Sequence, residues 1–270
     1  MRDFLSYDPT ETKPEFTEPV VDPVARARDH ARADLPKRFY REVSVGPAEG
    51  GAWRVLLDGR PVRTPARRHL EVPRRDLAEA MAAEWAAQET IIDPRAMPHT
   101  RLANAVIDGV AVQPAAVAAD ALKYAGSDLL CYRATDTARL VDRQTRLWDP
   151  VLDWIEETYG ARFLVAEGIV HVAQDPEAIA AVGRALEPLD PWRLAGLHSL
   201  TTLTGSLFIA LALAGGRLDD DAAWAAATVD EAWNLELWGE DEEAVARLVA
   251  RRREFDVASA FLREAPAGQP

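Results

Sequence analysis

The sequence has a single cysteine, Cys131, in a chain of 270 residues. One cysteine cannot form an internal disulfide and cannot supply the thiolate cluster of a structural zinc site. Cys131 lies in an apolar run after Asp128, with no neighbouring His or Lys to lower the pKa of its thiol. We therefore expect Cys131 to be buried and structural.

The usual sequence signatures of metal and nucleotide chemistry are also missing. There is no Walker A loop, no Gly-x-Gly-x-x-Gly fingerprint and no Gly-x-Ser-x-Gly nucleophile elbow. Ser206 follows Gly205 within an apolar stretch, so helix packing explains it better than a role as a nucleophile. The histidines are scattered without the spacing of metal ligands on a helix: His30, His69, His99, His171 and His198. We expect no cofactor and no metal.

No apolar run is long enough to span a bilayer, since the longest, Leu203–Ala214, is little more than half the required length. Residues 1–34 are acidic and proline-bearing, which predicts a flexible arm. They lack the apolar core of a secretory signal, and their acidic residues are unlike those of a transit peptide. We expect no membrane insertion and a location in the bacterial cytoplasm.

The net charge is −13, which excludes a general attraction to nucleic acid or to an anionic membrane. Charge is unevenly distributed. Residues 37–75 carry ten Lys and Arg against four acidic residues, whereas residues 217–243 carry ten acidic residues against Arg217 alone. The basic stretch also contains Phe39, Tyr40 and Trp53, so a single-stranded nucleic-acid surface is one alternative. The solvated face of a sheet is the simpler explanation.

Alternating apolar residues and turn signals predict a small α+β domain over residues 35–98. Strands are expected over 39–45, 53–57, 61–65 and 69–72. Asp58-Gly59 between two apolar runs is a strong hairpin signal. Pro61 and Pro65 restrict the third strand to a sheet edge or a short pairing. A helix then begins near Pro73, with one apolar face.

The rest of the chain, residues 99–270, predicts a larger domain that is mainly helical. A short β pair within 162–172 is a candidate to rejoin the N-terminal sheet. Each Asp-Pro pair is expected to start a helix, because Asp can accept from free backbone N–H groups and Pro fits the first turn. Helices are predicted over 101–112, 114–127, 137–148, 150–159, 176–186, 192–214 and 220–237, followed by a last helix that Asp241 caps.

Two regions stand out from this pattern. The first runs from Glu84 to Asn104 and places Trp85, Met97 and two prolines where a helix should end, which predicts a packed structural corner. The second is Trp238-Gly239-Glu240-Asp241, between the last two predicted helices. Capping explains Asp241 but not Glu240, which is either a solvated turn residue or a contact for a basic partner. A hydrolase that uses Glu240 with Glu231 or Asp241 is the alternative.

Taken together, these segments resemble the Atp12 family over roughly residues 38–262. Individually the motifs are weak, but their order and spacing are specific. The matching residues are Arg38-Phe39-Tyr40 with Val43, Leu56–Val62 with Thr64-Pro65, Glu84-Trp85 with Gln88, Ile92-Asp93-Pro94, Met97-Pro98, Thr100-Arg101-Leu102, Asp128–Arg133, Gln144 with Trp148-Asp149-Pro150, Thr204-Gly205-Ser206 and Trp238–Asp241.

The resemblance implies a binding protein and not an enzyme, with a small β-containing domain followed by a larger helical one. Members of this family are assembly chaperones that bind the α subunit of the F1 sector of ATP synthase before it pairs with the β subunit. Carried onto this chain, the resemblance makes Glu240 the leading partner-binding residue and Asp241 the second, beside Trp238 and Gly239. The family also has mitochondrial members. We expect a protein that is monomeric when free.

Overall fold

The computed structural model describes residues 35–135, 137–168, 170–239 and 241–263. The predicted arm at residues 1–34 lies outside the described residues.

The described chain begins with a small antiparallel sheet. Its strands are β1 (Val43–Pro47), β2 (Trp53–Leu57), β3 (Arg60–Pro61) and β4 (Glu71–Val72). Strand β2 pairs with each of the other three, and Val45 faces Val55 in the β1–β2 register. The expected hairpin at Asp58-Gly59 joins β2 to β3, and Pro61 lies in an edge strand as predicted.

Helix α1 (Arg75–Ala86) buries Leu77, Ala78 and Met81. A single 3₁₀ turn, Pro94–Ala96, separates it from α2 (Pro98–Ala105), which continues into a π-helical turn, Val106–Val110. The packed corner predicted here is confirmed. The Glu84 carboxylate accepts hydrogen bonds from the backbone N–H groups of His99 and Thr100, at 2.7 and 2.9 Å. Glu84 thus caps α2 from the end of α1, because it satisfies N–H groups that have no partner within the helix.

Within the described ranges eight more α-helices follow and form the larger part of the structure, so the α+β class is confirmed. They are α3 (Pro114–Leu122), α4 (Ala138–Tyr159), α5 (Pro176–Gly183), α6 (Pro191–Thr204), α7 (Leu207–Ala214), α8 (Asp220–Ala227), α9 (Val229–Trp238) and α10 (Glu242–Leu262). Helix α7 lies in the centre, since six of its eight residues are buried. Helices α6 and α10 pack closely against each other.

At three places the predictions of where a helix breaks or continues were wrong. The helix predicted over 192–214 is two helices, because Gly205 is left-handed (φ 72°) and Ser206 starts α7 by accepting from the N–H of Ile209. The helix predicted over 220–237 is also two, divided at Thr228. Conversely, the two helices expected on either side of Asp149-Pro150 are the single helix α4, with Pro150 inside it.

The β pair expected within 162–172 has different partners. Strand β6 (Ala166–Glu167) pairs in parallel with β5 (Tyr132–Arg133), and the two form their own sheet. Among the described residues this sheet is separate from the N-terminal sheet, so the expected return to that sheet was wrong.

Two hydrophobic clusters hold the chain together. The larger surrounds α7, whereas the smaller covers the N-terminal sheet. The smaller cluster also includes Ala195 from α6 and Val257 and Phe261 from α10. The buried Arg74 strengthens this contact, since its guanidinium donates to the carbonyl oxygens of Ala260 and Arg263 at the end of α10, at 3.0 and 2.7 Å. The smaller cluster therefore contains side chains from both sides of the boundary predicted at residue 98.

No single helix in the described ranges is both long and apolar enough to cross a membrane, and one sharply bent pair, Pro98–Val110 with Pro114–Cys131, meets those criteria by length and composition alone. The same ranges contain no group of three or more His, Cys, Asp or Glu residues that could hold a metal ion.

Candidate binding surface

The end of α9 and the start of α10 (residues 237–239 and 241–242) form an exposed corner. Gly239 ends α9 with φ 83° and ψ 174°, a conformation that residues with a Cβ rarely adopt. The Asp241 side chain then accepts a hydrogen bond from the N–H of Glu243 at 3.3 Å and starts α10. The predicted break at Trp238-Gly239 and the predicted cap at Asp241 are therefore both confirmed.

The corner exposes large apolar side chains. Trp238 is 84% exposed and Leu237 is 55% exposed. Trp233, which lies five residues earlier on the same helix, is buried beneath the guanidinium groups of Arg139 and Arg143. Helix α9 thus uses one tryptophan to attach to the body of the molecule and presents the other to solvent, and a solvent-exposed aromatic ring is typical of a binding surface.

Acidic residues are concentrated around these apolar side chains. Residues 230–243 contain seven acidic residues and no Lys or Arg. Of the six that the structure describes, three form ion pairs with arginines: Glu231 with Arg251, Glu236 with Arg143 and Glu243 with Arg247, at 2.8, 2.6 and 3.0 Å. Hydrogen bonding to Arg143 also lowers the pKa of the Glu236 carboxyl.

The acidic residues nearest Trp238 in the sequence make fewer contacts within the described chain. Asp241 makes only its capping contact, and Glu242 has no ion pair within the described chain. Glu240, the leading residue predicted from the sequence, lies outside the described residues, and its neighbours Gly239 and Asp241 are both exposed. The corner therefore combines an aromatic side chain with negative charge, as expected for a contact with a basic and apolar partner.

Between α9 and α10 lies an open groove of about 510 Å³. Glu231 and Asp241, the two candidate partners of Glu240 in the hydrolase alternative, both line it. However, Glu231 is paired with Arg251 and Asp241 caps α10, so both of these carboxylates already make structural contacts, which weakens the hydrolase alternative. The complete lining is Glu231, Asn234, Leu235, Trp238, Gly239, Asp241, Ala244, Arg247, Leu248 and Arg251.

The basic stretch at residues 37–75 serves mainly structural contacts. Phe39 is exposed, but Tyr40 is buried and donates its hydroxyl to the carbonyl oxygen of Trp85. Arg38 donates to the carbonyl oxygen of Gln88, and Arg68 donates to that of Ile107 at 2.6 Å. Arginines that hold backbone carbonyls have fewer N–H donors left for phosphates, which weakens the nucleic-acid alternative.

Two other motif residues, Asp128 and Gln144, are buried and hydrogen-bonded, which the sequence analysis did not foresee. Asp128 is fully buried and accepts from the N–H groups of Leu130 and Phe208, at 3.1 and 3.2 Å. Gln144 accepts from the N–H of Ala134 and donates to Asp230. The only sequence signal for such roles is a polar residue among apolar ones. These contacts hold helices together and give the residues a structural role.

Cys131 and Ser206 are structural, as predicted. Cys131 is buried, and burial raises the pKa of its thiol to about 12, so it carries no thiolate at neutral pH. The Ser206 hydroxyl is occupied at the start of α7.

The chain is similar to a family of chaperones. The model of the ATP12 chaperone protein family matches residues 37–156, a range that ends before the corner between α9 and α10. The mitochondrial protein atp12 of Schizosaccharomyces pombe is 21% identical over 220 residues, covering 77% of this chain and 75% of the relative.

Two solved structures are similar at a higher level of identity. Atp12 from Paracoccus denitrificans is 42% identical with a TM-score of 0.75, covering 84% of this chain and 97% of that one. A candidate chaperone from Agrobacterium tumefaciens is 48% identical with a TM-score of 0.79, covering 89% and 90%. The similarity to these two structures extends well beyond residues 37–156.

Proposed function

The chain belongs to the ATP12 family of assembly chaperones, which are not enzymes, and we propose that it binds the unassembled α subunit of the F1 sector of ATP synthase. In this proposal it shields the subunit interface of α from aggregation until the β subunit displaces it, without ATP hydrolysis. The observation that carries the proposal is the exposure of Trp238 beside the acidic residues of the corner.

Shielding by simple binding fits these features. An unpaired ring subunit exposes an apolar interface that aggregates, and a chaperone that does not use ATP can only mask it by mass action. Trp238 and Leu237 offer apolar area, and Asp241 and Glu242 offer charge that speeds encounter with a basic surface.

We assign the partner contact to Trp238, Gly239, Glu240 and Asp241, with Gly239 giving the turn its shape. The proposal also includes a protein that is monomeric when free and acts in the bacterial cytoplasm.

The test is an aggregation assay in which purified α subunit is diluted from denaturant in the presence of this protein. Light scattering measures how much α subunit aggregates. Trp238→Ser should need about tenfold more protein than wild type to suppress aggregation, because an exposed aromatic contact is lost. Its stability should change by less than about 0.5 kcal/mol, since the side chain packs little against the fold. Val112→Ser, which alters another exposed apolar residue, is the control and should behave as wild type.

Adding β subunit after α has been bound tests displacement. The proposal predicts that α–β complex forms as the chaperone is released. A stable complex of all three, in which α pairs with β while the chaperone stays on the α interface, would contradict it.

A further inference from the structure

Helices α9 and α10 leave a groove between them. Glu231, near the start of α9, meets Arg251 in α10, so the second helix runs back beside the first. The two helices nevertheless lack the close backbone approach of packed helices within the described chain. The resulting space is the open groove of about 510 Å³.

Apolar side chains from both helices form part of the wall of this groove. Leu235 on α9 and Ala244 and Leu248 on α10 line it, and each is only partly covered. Farther along α10, Phe255 and Ala258 are buried in the body of the molecule. The apolar face of α10 is therefore covered in the C-terminal half of the helix and open in its N-terminal half.

The two ends of the groove differ in charge. At one end Glu231 and Arg251 form an ion pair and neutralise each other. At the corner, the lining residue Asp241 is followed by Glu242, and neither has an ion pair within the described chain. A ligand with an apolar face and a positive charge at one end would therefore fit the groove in one orientation only.

We infer that this groove receives an amphipathic helix of the α subunit, with its apolar stripe against Leu235, Ala244 and Leu248 and a Lys or Arg beside Asp241 and Glu242. A third helix would supply the apolar contacts that α9 and α10 do not make with each other. The inference rests on the proposed function, and adds the chemistry of the bound segment to it.

A charge-neutral variant tests this inference. Ala244→Phe fills the groove, whereas Ala246→Phe adds the same ring to an exposed position of α10 that does not line it. Binding of purified α subunit to Ala244→Phe should be at least about tenfold weaker than to wild type, and binding to Ala246→Phe should be unchanged. Circular dichroism and denaturation curves would establish that both variants fold. Equal binding by folded Ala244→Phe and wild type would overturn the inference.

A photo-crosslinking amino acid in place of Leu248 gives an independent measure of the occupant. The expected result is a crosslink to a segment of α that has apolar residues at helical spacing and a nearby Lys or Arg. A crosslink to a second copy of this chain, or to a segment of α without that pattern, would overturn the inference. Failure of wild type to bind α at all would instead refute the proposed function.

Discussion

Asp128 has an environment that few carboxylates share. It is fully buried, and its two oxygens accept from the N–H groups of Leu130 and Phe208, which belong to a 3₁₀ turn and to α7. Burial raises its pKa to about 7, although the hydrogen bond from Ser206 and those from backbone N–H groups oppose this shift. Because the folded-state pKa lies above the unfolded one, the stabilisation due to this group is present at acidic pH and is lost as pH rises towards 7.

Asp128→Asn should therefore change how stability depends on pH. The variant loses an acceptor that faces a buried N–H group, at a cost of about 1–3 kcal/mol at neutral pH and above. Between pH 8 and pH 5 the deficit relative to wild type should grow by about 2–3 kcal/mol, because only wild type gains a proton at this site. Urea denaturation at the two pH values measures this. A deficit that is the same at both pH values would show that Asp128 keeps an ordinary pKa.

At the scale of elements, Gly205 determines where α6 ends. Its φ of 72° is left-handed, and a Cβ there would meet only Leu129, at 3.9 Å. Gly205→Ala should thus lose about 1–2 kcal/mol through backbone strain and not through a clash. Gly109→Ala is the matched control, since Gly109 is in a helical turn with a negative φ and open space around it. It should be neutral or stabilise by up to about 1 kcal/mol. Equal effects in denaturation curves would contradict this account.

The Asp-Pro pairs show how much of the helical architecture local sequence could predict. Asp93, Asp175 and Asp190 each cap a helical segment as expected. Asp149 does not, because its carboxylate pairs with Arg133 and a buried stripe from Trp148 to Ile155 continues α4 across Pro150. An N-cap depends on neighbouring residues and can be predicted from the sequence. The continuation of α4 across Pro150 is harder to predict, because its buried stripe is stabilised by helices that are distant in the sequence.

The proposed binding surface likewise has features that the sequence predicts and features that it does not. The break at Gly239 and the cap at Asp241 follow from backbone chemistry, so sequence alone predicted them. The exposure of Trp238 and the groove beside Leu248 were not predicted, because apolar residues at helical spacing normally indicate a core. Only the tertiary arrangement shows that no helix of the described chain covers them.

At the scale of the whole molecule, the N-terminal sheet and the corner lie at opposite ends of α10. Arg74, which lies between β4 and α1, contacts the last turn of that helix, and the corner includes its first residue. A 21-residue helix spans about 30 Å, so the corner is well separated from the sheet. We therefore propose a supporting role for the sheet and partner binding at the corner.

Capture of α subunit from native bacterial extract, by wild type beside Glu240→Lys, tests the central claim most directly. Glu157→Lys, which makes the same charge change at an exposed position of α4, is the control. The account predicts that wild type and Glu157→Lys recover α, and that folded Glu240→Lys recovers about tenfold less, because a like charge opposes the basic partner. Equal recovery of α by all three, or no α with wild type, would contradict it.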